Sequence, residues 1–373
     1  MFTKKRSWHF WKDRPCPNLI TGFFNNRSSI IRKERSIAPP AITVNRTILN
    51  EPVIFNKSVQ AAKEICDFWR TYYKSADWTA NINEADVYDI LGKDKTTIIG
   101  VRNPEGQLVG TVASIPLTGQ FLHHREEIKQ AFFLVDYLVL HPLMRGRGVA
   151  GWLLGWLDYL TSKKGPVIHC WFRESYNIRG KLSKMVAVPF SRMNTLHISY
   201  VSLATRPHPE HAQEITWHSV RKVLNDIKVS KEFSFDLMYI PNDTYNTTWW
   251  RVELLEYPSC ALIVGIKNTG KMKSNNQCIY NVVFTCFVRL IPGNVNDIAE
   301  PFWATDSYIP ALRSSIEAAA FTQKCDIITV SDNSTCGDDY LEKWPQWRIA
   351  NRKRKLYMYN WRSPTIGSIV WPV

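Results

Sequence analysis

The sequence predicts an α/β fold made of two similar halves, each with a mixed β-sheet and flanking helices. Residues 131–172 pass from a buried strand through a glycine-rich turn and a helix to another buried strand, which is the order of a crossover unit. The second half repeats this theme with strands within 260–292, a helix at 310–325 and a strand at 326–332. The repeat indicates duplication, although residue-level identity between the halves is low.

The elements of the first half follow from local patterns. Residues 1–50 are basic, aromatic and rich in proline, which predicts an arm laid over a domain. Residues 58–75 carry apolar side chains at helical spacing, with Ser58 as the N-cap of the helix. Residues 96–117 hold two apolar runs around the turn Asn103-Pro104-Glu105-Gly106, and this pattern predicts a β-hairpin.

Length and composition limit the class of protein. A chain of 373 residues with 45% hydrophobic composition can bury two cores. Its eight cysteines form no C-x-x-C pair, so we expect neither a metal site nor a disulfide framework. Its apolar runs fall short of the ~18 residues of a membrane span, and its basic start lacks the apolar segment of a signal peptide. We therefore expect a cytoplasmic protein without a transmembrane segment.

The net charge of +14 favours a polyanionic partner. Nucleic acid, an anionic membrane surface and a phosphorylated cofactor all fit this charge, as does a simply solvated basic surface. The sequence carries no RRM, zinc-finger or helix-turn-helix signature, which argues against a nucleic-acid binder. We interpret the basic run at 348–357 as an exposed loop before the last strand.

The turn at 145–148, read Arg-Gly-Arg-Gly, has the chemistry of an anion site. Glycines without Cβ atoms let backbone N–H groups approach an oxyanion and let the chain adopt positive φ. The helix that begins near Val149 adds its dipole and its unpaired N–H groups at the same point. The turn is neither a Walker loop nor G-x-G-x-x-G. It predicts a diphosphate site, and a merely tight strand-to-helix turn is the alternative.

The same turn carries a resemblance to a known family. Its pattern Arg145-x-x-Gly148-x-Ala150 resembles the pyrophosphate loop of the GNAT superfamily, whose members bind coenzyme A. More specifically, residues 137–154 resemble the eukaryotic N-myristoyltransferases, in which a segment F-L-C-V-H-K-K-L-R-S-K-R-V-A-P-V-L-I aligns without a gap. The alignment keeps Leu138, His141, Arg145, Val149 and Ala150.

Four further segments resemble that family, and they occur in the family's order. The arm at 9–17 is similar to its Q-F-W-x-x-Q-P-V-P signature, and the hairpin at 100–117 to its G-V-R...L-V-G-F-I-S-A-I-P stretch. Residues 188–200 and 339–361 are similar to its V-x-F-S-H-L-S-R-N-M-T stretch and its F-L-E-K-L-K-F...Y-L-Y-N-W ending. Chance does not explain such colinear matches, so we expect a divergent relative of these acyltransferases.

The resemblance implies a fold and a function. The fold is two GNAT-like halves around a pseudo-two-fold axis, with acyl-CoA held by residues 1–205 and peptide largely by residues 206–373. The reaction is transfer of a long acyl chain from acyl-CoA, such as myristoyl-CoA, to the N-terminal glycine amine of a peptide or protein. The alternative is a catalytically inactive relative that serves as a binding or structural protein. The sequence gives no indication of oligomeric state.

The resemblance also assigns cofactor contacts to the arm, the strand and the turn. Aromatic residues of the arm can cover the acyl chain and the adenine, although the same residues could simply anchor the arm to the core. The implied cofactor residues are His9, Phe10, Trp11, Tyr137, Leu138, Val139, Leu140, Arg145, Gly146, Arg147, Gly148, Val149 and Ala150.

For catalysis, the resemblance implies an oxyanion hole made by the backbone amides of Tyr137 and Leu138. It also implies that the C-terminal carboxylate, here that of Val373, accepts the proton of the amine. A thioester is already activated, so a neutral amine can attack it directly and no cysteine or serine nucleophile is needed.

On the acceptor side, the resemblance implies that Tyr73, Asp136 and Asp332 bind the peptide. Asp136 stands where the family has asparagine. Its side chain is either a carboxylate beside the bound amine or that of a solvated or hydrogen-bonded strand residue. The family has an acidic loop after this tyrosine. Here Tyr73 is followed by KSADWTAN, in which Asp77 is the only acidic residue. Gly148 replaces an arginine of the family and restores the general GNAT pattern.

Overall fold

Five α-helices flank the sheets in the part of the chain that the structure describes. This computed structural model describes residues 29–30, 49–123, 125–164, 167–175, 187–189, 193–197, 211–231, 233, 237–241, 246–290, 298–302, 305–331, 348–350, 353–359 and 361–362. The helices are α1 (Val59–Tyr72), α2 (Glu84–Gly92), α3 (Val149–Thr161), α4 (Trp217–Val229) and α5 (Ile309–Thr322). Short 3-10 turns cover Pro142–Met144, Ser162–Lys164 and Asp306–Tyr308.

The described strands, numbered in chain order, supply four sheets. They are β1 (Ser29–Ile30), β2 (Val53–Ile54), β3 (Thr79–Ala80), β4 (Thr97–Arg102), β5 (Leu108–Pro116), β6 (Gly119–His123), β7 (Glu126–Glu127), β8 (Phe132–Leu140), β9 (Ile168–Ser175), β10 (Ala187–Pro189), β11 (Met193–His197), β12 (Ala212–Glu214), β13 (Leu237–Pro241), β14 (Thr247–Leu254), β15 (Tyr257–Met272), β16 (Cys278–Leu290), β17 (Ile298–Phe302), β18 (Ile327–Ser331), β19 (Arg348–Ala350), β20 (Lys353–Tyr359) and β21 (Trp361–Arg362).

The first large sheet has the order β10-β20-β9-β8-β5-β4-β2. Strands β4, β5 and β8 pair antiparallel, and β8 then pairs parallel with β9 through the crossover helix α3. Helix α3 buries Val149, Leu153 and Leu157 against one face of this sheet. Helices α1 and α2 bury Ile65, Trp69 and Val87 against the other face. The apolar residues of β4 and β5 are buried on both faces because helices cover the sheet on both sides.

The second large sheet repeats this plan. Its order is β12-β14-β15-β16-β18-β11-β19, and β17 and β3 pair at its sides. Strands β14, β15 and β16 are antiparallel, and β16 pairs parallel with β18, which follows helix α5. Helices α5 and α4 contribute to the two hydrophobic clusters built on strands β14, β15 and β16. Each half therefore has three antiparallel strands followed by one parallel strand after a helix, and the predicted duplicated α/β fold is confirmed.

The two halves exchange strands. Strand β20, from the C-terminal part of the chain, pairs antiparallel with β9 of the first sheet. Strand β11, from the N-terminal part, pairs antiparallel with β18 of the second sheet. The division at residues 205 and 206 stays a prediction, and the exchange shows that each sheet contains residues from both sides of it.

Most elements predicted from the sequence are confirmed. Helix α1 begins after Ser58, whose side chain accepts a hydrogen bond from the Ala61 amide at 3.1 Å. The hairpin of β4 and β5 turns at Gly106, which has a φ of 83°. The prediction of a loop at 348–357 is wrong. Residues 348–350 form β19, and β20 begins at Lys353. Charge indicated exposure there, but pairing with β9 and β10 gives strand structure.

None of the helices in the described ranges is both long enough and apolar enough to span a membrane.

Replacement of Gly265 by alanine tests the packing of the second sheet. A Cβ at this position would lie 2.6 Å from the ring of Trp249, which is 4% exposed and packs on Phe284. The ring cannot move without disturbing the core, so Gly265→Ala should lower the free energy of unfolding by about 1–3 kcal/mol. At Gly92 the added Cβ would meet only the mobile end of Lys57, and Gly92→Ala should be nearly neutral. Equal stability of both variants in urea denaturation would contradict this packing.

Candidate functional site

A β-bulge interrupts strand β8 in the middle of the first sheet. Two residues of β8, Tyr137 and Leu138, lie opposite the single residue Val112 of β5. Tyr137 has a φ of 51°, in the left-handed region that residues other than glycine rarely occupy. Bulges of this kind occur next to active sites, where they turn backbone groups away from the ladder. The bulge falls at the position of the predicted oxyanion hole.

The side chains of Trp69 and Thr111 hold the bulge. The indole of Trp69 stacks on the ring of Tyr137, with centroids 3.9 Å apart and planes 7° from parallel. Trp69 Nε1 donates to Thr111 Oγ1 at 2.9 Å, and Thr111 Oγ1 donates to the carbonyl of Tyr137 at 3.2 Å. Since Trp69 is fully buried, this contact is firmly placed and supports a strained backbone. Neither Trp69 nor Thr111 is a candidate from the sequence.

Pairing between β8 and β9 ends before the bulge. The parallel ladder of these two described strands stops at Leu134 and Cys170, although β9 continues to Ser175 in its pairing with β20. After Leu134, the edge of β8 that faces β9 is therefore outside the β8–β9 ladder. A group bound from outside can reach backbone donors along this edge.

The direction of the amides in β8 follows from its pairing with β5. The N–H of His141 donates to the carbonyl of Val109 at 2.9 Å. Residues that bond toward one neighbour alternate along a regular strand, so the amide of Leu140 points away from β5. The amide of Leu140 thus faces the edge toward β9.

The amide of Tyr137 contacts a carboxylate. Its N–H donates to Oδ1 of Asp136 at 2.7 Å, and the hydroxyl of Tyr73 donates to the same oxygen at 3.3 Å. The structure therefore brings together two of the predicted acceptor residues, Tyr73 and Asp136. It also places a negative charge on one of the two predicted oxyanion donors.

The glycine turn between β8 and α3 is open to solvent. Gly146 and Gly148 have φ values of 73° and 86°, so both adopt the left-handed conformation that the glycine pattern predicts. Among the described residues, no atom beyond the adjoining ones lies within 4 Å of a Cβ built at either position, and residues 145–148 are exposed. Gly148 is the N-cap of α3 and provides no side-chain hydrogen bond to its first turn. Backbone donors of this helix terminus are thus available to an anion.

The two arginines of the turn have different surroundings. Arg145 Nε donates to the carbonyl of Leu140 at 3.2 Å, and its Nη2 donates to the carbonyl of Tyr72 at 3.4 Å. Tyr72 is the last residue of α1, where a positive charge is favourable against the helix dipole. Arg145 therefore ties the turn to β8 and α1, and Arg147 is the other exposed guanidinium of the turn.

Two other predicted cofactor residues have their side chains in the core. Val139 of β8 is 2% exposed in the cluster that contains α1, and Val149, the first residue of α3, is fully buried against the first sheet. Contacts of these two residues with a cofactor would thus come from the backbone. Five predicted residues lie outside the described part of the chain: His9, Phe10, Trp11, Asp332 and Val373.

Thiols near the bulge are not poised as nucleophiles. Burial raises the pKa of the Cys170 thiol, at the end of the β8–β9 ladder, well above its usual value. Burial also raises the pKa of Cys66 on α1, whose Sγ donates to the carbonyl of Ile82 at 3.4 Å. Both thiols are therefore protonated at neutral pH. Across the described ranges, no three His, Cys, Asp or Glu side chains form a group that could hold a metal ion.

Replacement of Thr111 by valine tests what holds the bulge. The isosteric change leaves Trp69 Nε1 without its acceptor and removes the donor to the Tyr137 carbonyl. We expect Thr111→Val to lower the free energy of unfolding by about 1–3 kcal/mol in a urea titration. Thr96→Val is the matched control, because the buried Thr96 hydroxyl has no hydrogen-bond partner among the described residues. If Thr111→Val loses no more stability than Thr96→Val, the hydrogen bonds of Thr111 do not support the bulge.

The structure is similar to crystal structures of Saccharomyces cerevisiae N-myristoyltransferase with bound myristoyl-CoA. The similarity covers 98% of this chain and 91% of one such chain, with a TM-score of 0.64 and 11% identity. A second covers 97% of this chain and 94% of the other, with a TM-score of 0.59 and 12% identity. No protein-family model and no curated protein matches the sequence. The chain thus has the fold of N-myristoyltransferase, as the resemblance implied.

Proposed function

We propose that this protein transfers an acyl group from acyl-CoA to an amine. The observation that carries the proposal is the bulge in β8, which interrupts the ladder with β5 a short distance along the chain from an open glycine turn. An oxyanion hole and a diphosphate site are the two sites that an acyl-CoA requires. The similarity to the yeast enzyme over nearly the whole chain supports the same conclusion.

In this proposal the diphosphate of coenzyme A lies at the N-terminus of α3. The backbone donors after Gly148 and the guanidinium of Arg147 contact its oxygens. Arg145 maintains the shape of the turn through its bonds to Leu140 and Tyr72. The acyl carbonyl then lies along β8, and the arm residues His9, Phe10 and Trp11 cover the ligand.

The chemistry requires positioning and one charge-stabilising contact. The amine nitrogen attacks the thioester carbon, the new C–N bond forms, and the C–S bond breaks to release the thiol. An α-amino group with a pKa of ~8 costs only ~1.4 kcal/mol to deprotonate at pH 7. One well-placed amide donor, at Tyr137 or Leu138, stabilises the oxyanion by roughly 3 kcal/mol. The carboxylate of Val373 is the proposed acceptor of the amine proton.

The finer proposal is that the donor is myristoyl-CoA and the acceptor is an N-terminal glycine. Support comes from the yeast enzyme, which has myristoyl-CoA bound, and from the colinear sequence segments. The proposal sets the reaction in the cytoplasm, where buried free thiols such as Cys66 and Cys170 stay reduced.

One observation favours a second candidate function. The amide of Tyr137 is bonded to the carboxylate of Asp136, so this donor is occupied. A protein that keeps this arrangement with acyl-CoA bound would hold the ligand without transferring its acyl group. The second candidate is therefore a catalytically inactive acyl-CoA binding protein.

Thiol release distinguishes the two candidates. The purified protein is incubated with myristoyl-CoA and a panel of peptides that begin with glycine, and free coenzyme A is followed over time. Transfer predicts thiol release that depends on the peptide and disappears with the same peptide acetylated at its N-terminus. Binding of myristoyl-CoA without turnover of any peptide would favour the inactive protein. Absence of binding would contradict the acyl-CoA site itself.

Reversal of charge at Arg147 tests the diphosphate site. Arg147→Glu should weaken myristoyl-CoA binding at least about tenfold, because a phosphate contact is replaced by repulsion. Arg289→Glu is the matched control, since Arg289 is exposed on the second sheet and pairs with Glu300 at 3.7 Å. The Kd of each variant is measured by isothermal titration calorimetry. Equal weakening by both variants would indicate a general effect of net charge and contradict a site at the turn.

A further inference from the structure

The hydrogen bond between Tyr137 and Asp136 differs from the ladder bonds around it. In a sheet, backbone N–H groups donate to backbone carbonyls, but this amide donates to a side-chain carboxylate at 2.7 Å. Bonds to an ionised acceptor are roughly twice as strong as those between neutral groups. The amide at the bulge therefore has a strong ligand from within the protein.

This ligand competes with an acyl carbonyl. A single N–H makes one strong hydrogen bond, so Asp136 Oδ1 and a thioester oxygen cannot both occupy it. A neutral thioester oxygen is the weaker acceptor. The Tyr137 amide is consequently closed to the acyl group as long as the carboxylate remains there.

A cationic amine can draw the carboxylate away. The acceptor amine must approach the thioester carbon, whose oxygen lies at the amides of the bulge, so it comes close to the adjacent residue Asp136. An ammonium group offers three donors and a full positive charge, which the Tyr137 amide does not. Tyr73, whose hydroxyl also donates to Asp136 Oδ1, can stay bonded during this exchange.

We propose that the Asp136 carboxylate is an exchangeable ligand of the Tyr137 amide, and that it releases this donor when it binds the ammonium group of the acceptor. The inference rests on the proposed acyl transfer, with Asp136 as a positioning residue for the amine, and adds to it an exchange that couples acceptor binding to the Tyr137 amide. It makes the oxyanion hole complete only when an acceptor is present. Acyl-CoA bound alone is thereby protected from attack by water.

Two substitutions of Asp136 separate its two roles. Asp136→Asn keeps an Oδ1 acceptor for the amide but loses the charge that attracts an ammonium. Asp136→Ala loses both. Glu105→Gln is the control for loss of a carboxylate, because Glu105 is exposed at the hairpin turn of β4 and β5. Calorimetric binding of myristoyl-CoA shows whether each variant is folded.

The kinetic test follows thiol release from myristoyl-CoA with and without a glycine peptide. In hydrolysis, water forms a C–O bond as the C–S bond breaks, giving the fatty acid and the thiol. Asp136→Ala should raise hydrolysis without peptide by at least about tenfold, whereas Asp136→Asn and Glu105→Gln should not. Both Asp136 variants should raise the KM for peptide about tenfold or more.

Suppose that Asp136→Ala binds myristoyl-CoA normally but hydrolyses it no faster than the unaltered protein. This result would overturn the exchange at Asp136 and leave the proposed function standing. An unchanged KM for peptide in Asp136→Asn would do the same. Failure of the unaltered protein to bind myristoyl-CoA would overturn the proposed function, and this inference with it.

A spectroscopic measurement tests the exchange without turnover. In protein labelled with ¹⁵N-tyrosine, the Tyr137 amide is identified by its loss in Tyr137→Phe. Saturating glycinamide should move this resonance upfield in the unaltered protein, because the bond to the carboxylate is lost. The same addition should leave it in place in Asp136→Asn. A resonance that does not respond to glycinamide in the unaltered protein would overturn the exchange.

Discussion

The stacking of Trp69 on Tyr137 is the contact on which the rest of the site depends. It holds a bulky residue in a left-handed conformation that costs on the order of 1–3 kcal/mol, and it does so from a fully buried ring. The same indole orients Thr111, whose hydroxyl bonds the carbonyl of the strained residue. Without this support β8 would continue its regular ladder with β5, and Tyr137 would leave its left-handed conformation. The last turns of α1 are thus part of the site.

The duplicated fold places the bulge where a ligand can reach it. In each half a parallel strand follows a crossover helix, and that strand then pairs with a strand from the other half. In the first sheet β9 pairs with β20 from His169 to Ser175, but with β8 only as far as Leu134. The opening between β8 and β9 therefore depends on the strand exchange, since β9 has a partner that holds it after it leaves β8.

Local patterns could predict the strands and helices of the core, because burial and periodicity are visible in the sequence. The same is true of the glycine turn. The bulge could not be predicted, since it depends on Trp69 and Thr111, which are 42 residues apart. The start of α2 is also visible in the sequence, as the capping box of Asn83 and Asp86. The basic run at 348–357 could not be assigned from its charge, because pairing with distant strands gives it strand structure.

Matching a motif identifies positions, and only geometry distinguishes their roles. Both arginines of the turn fit an anion site by sequence, yet Arg145 donates to two backbone carbonyls and so fixes the path of the turn. Arg147 is the second exposed arginine of the turn. The same reasoning applies to Asp136, which sequence places beside an amine and structure places on a backbone donor. In the proposed exchange an acceptor ammonium replaces the Tyr137 N–H as the partner of Asp136 Oδ1, and the two placements become successive states of one group.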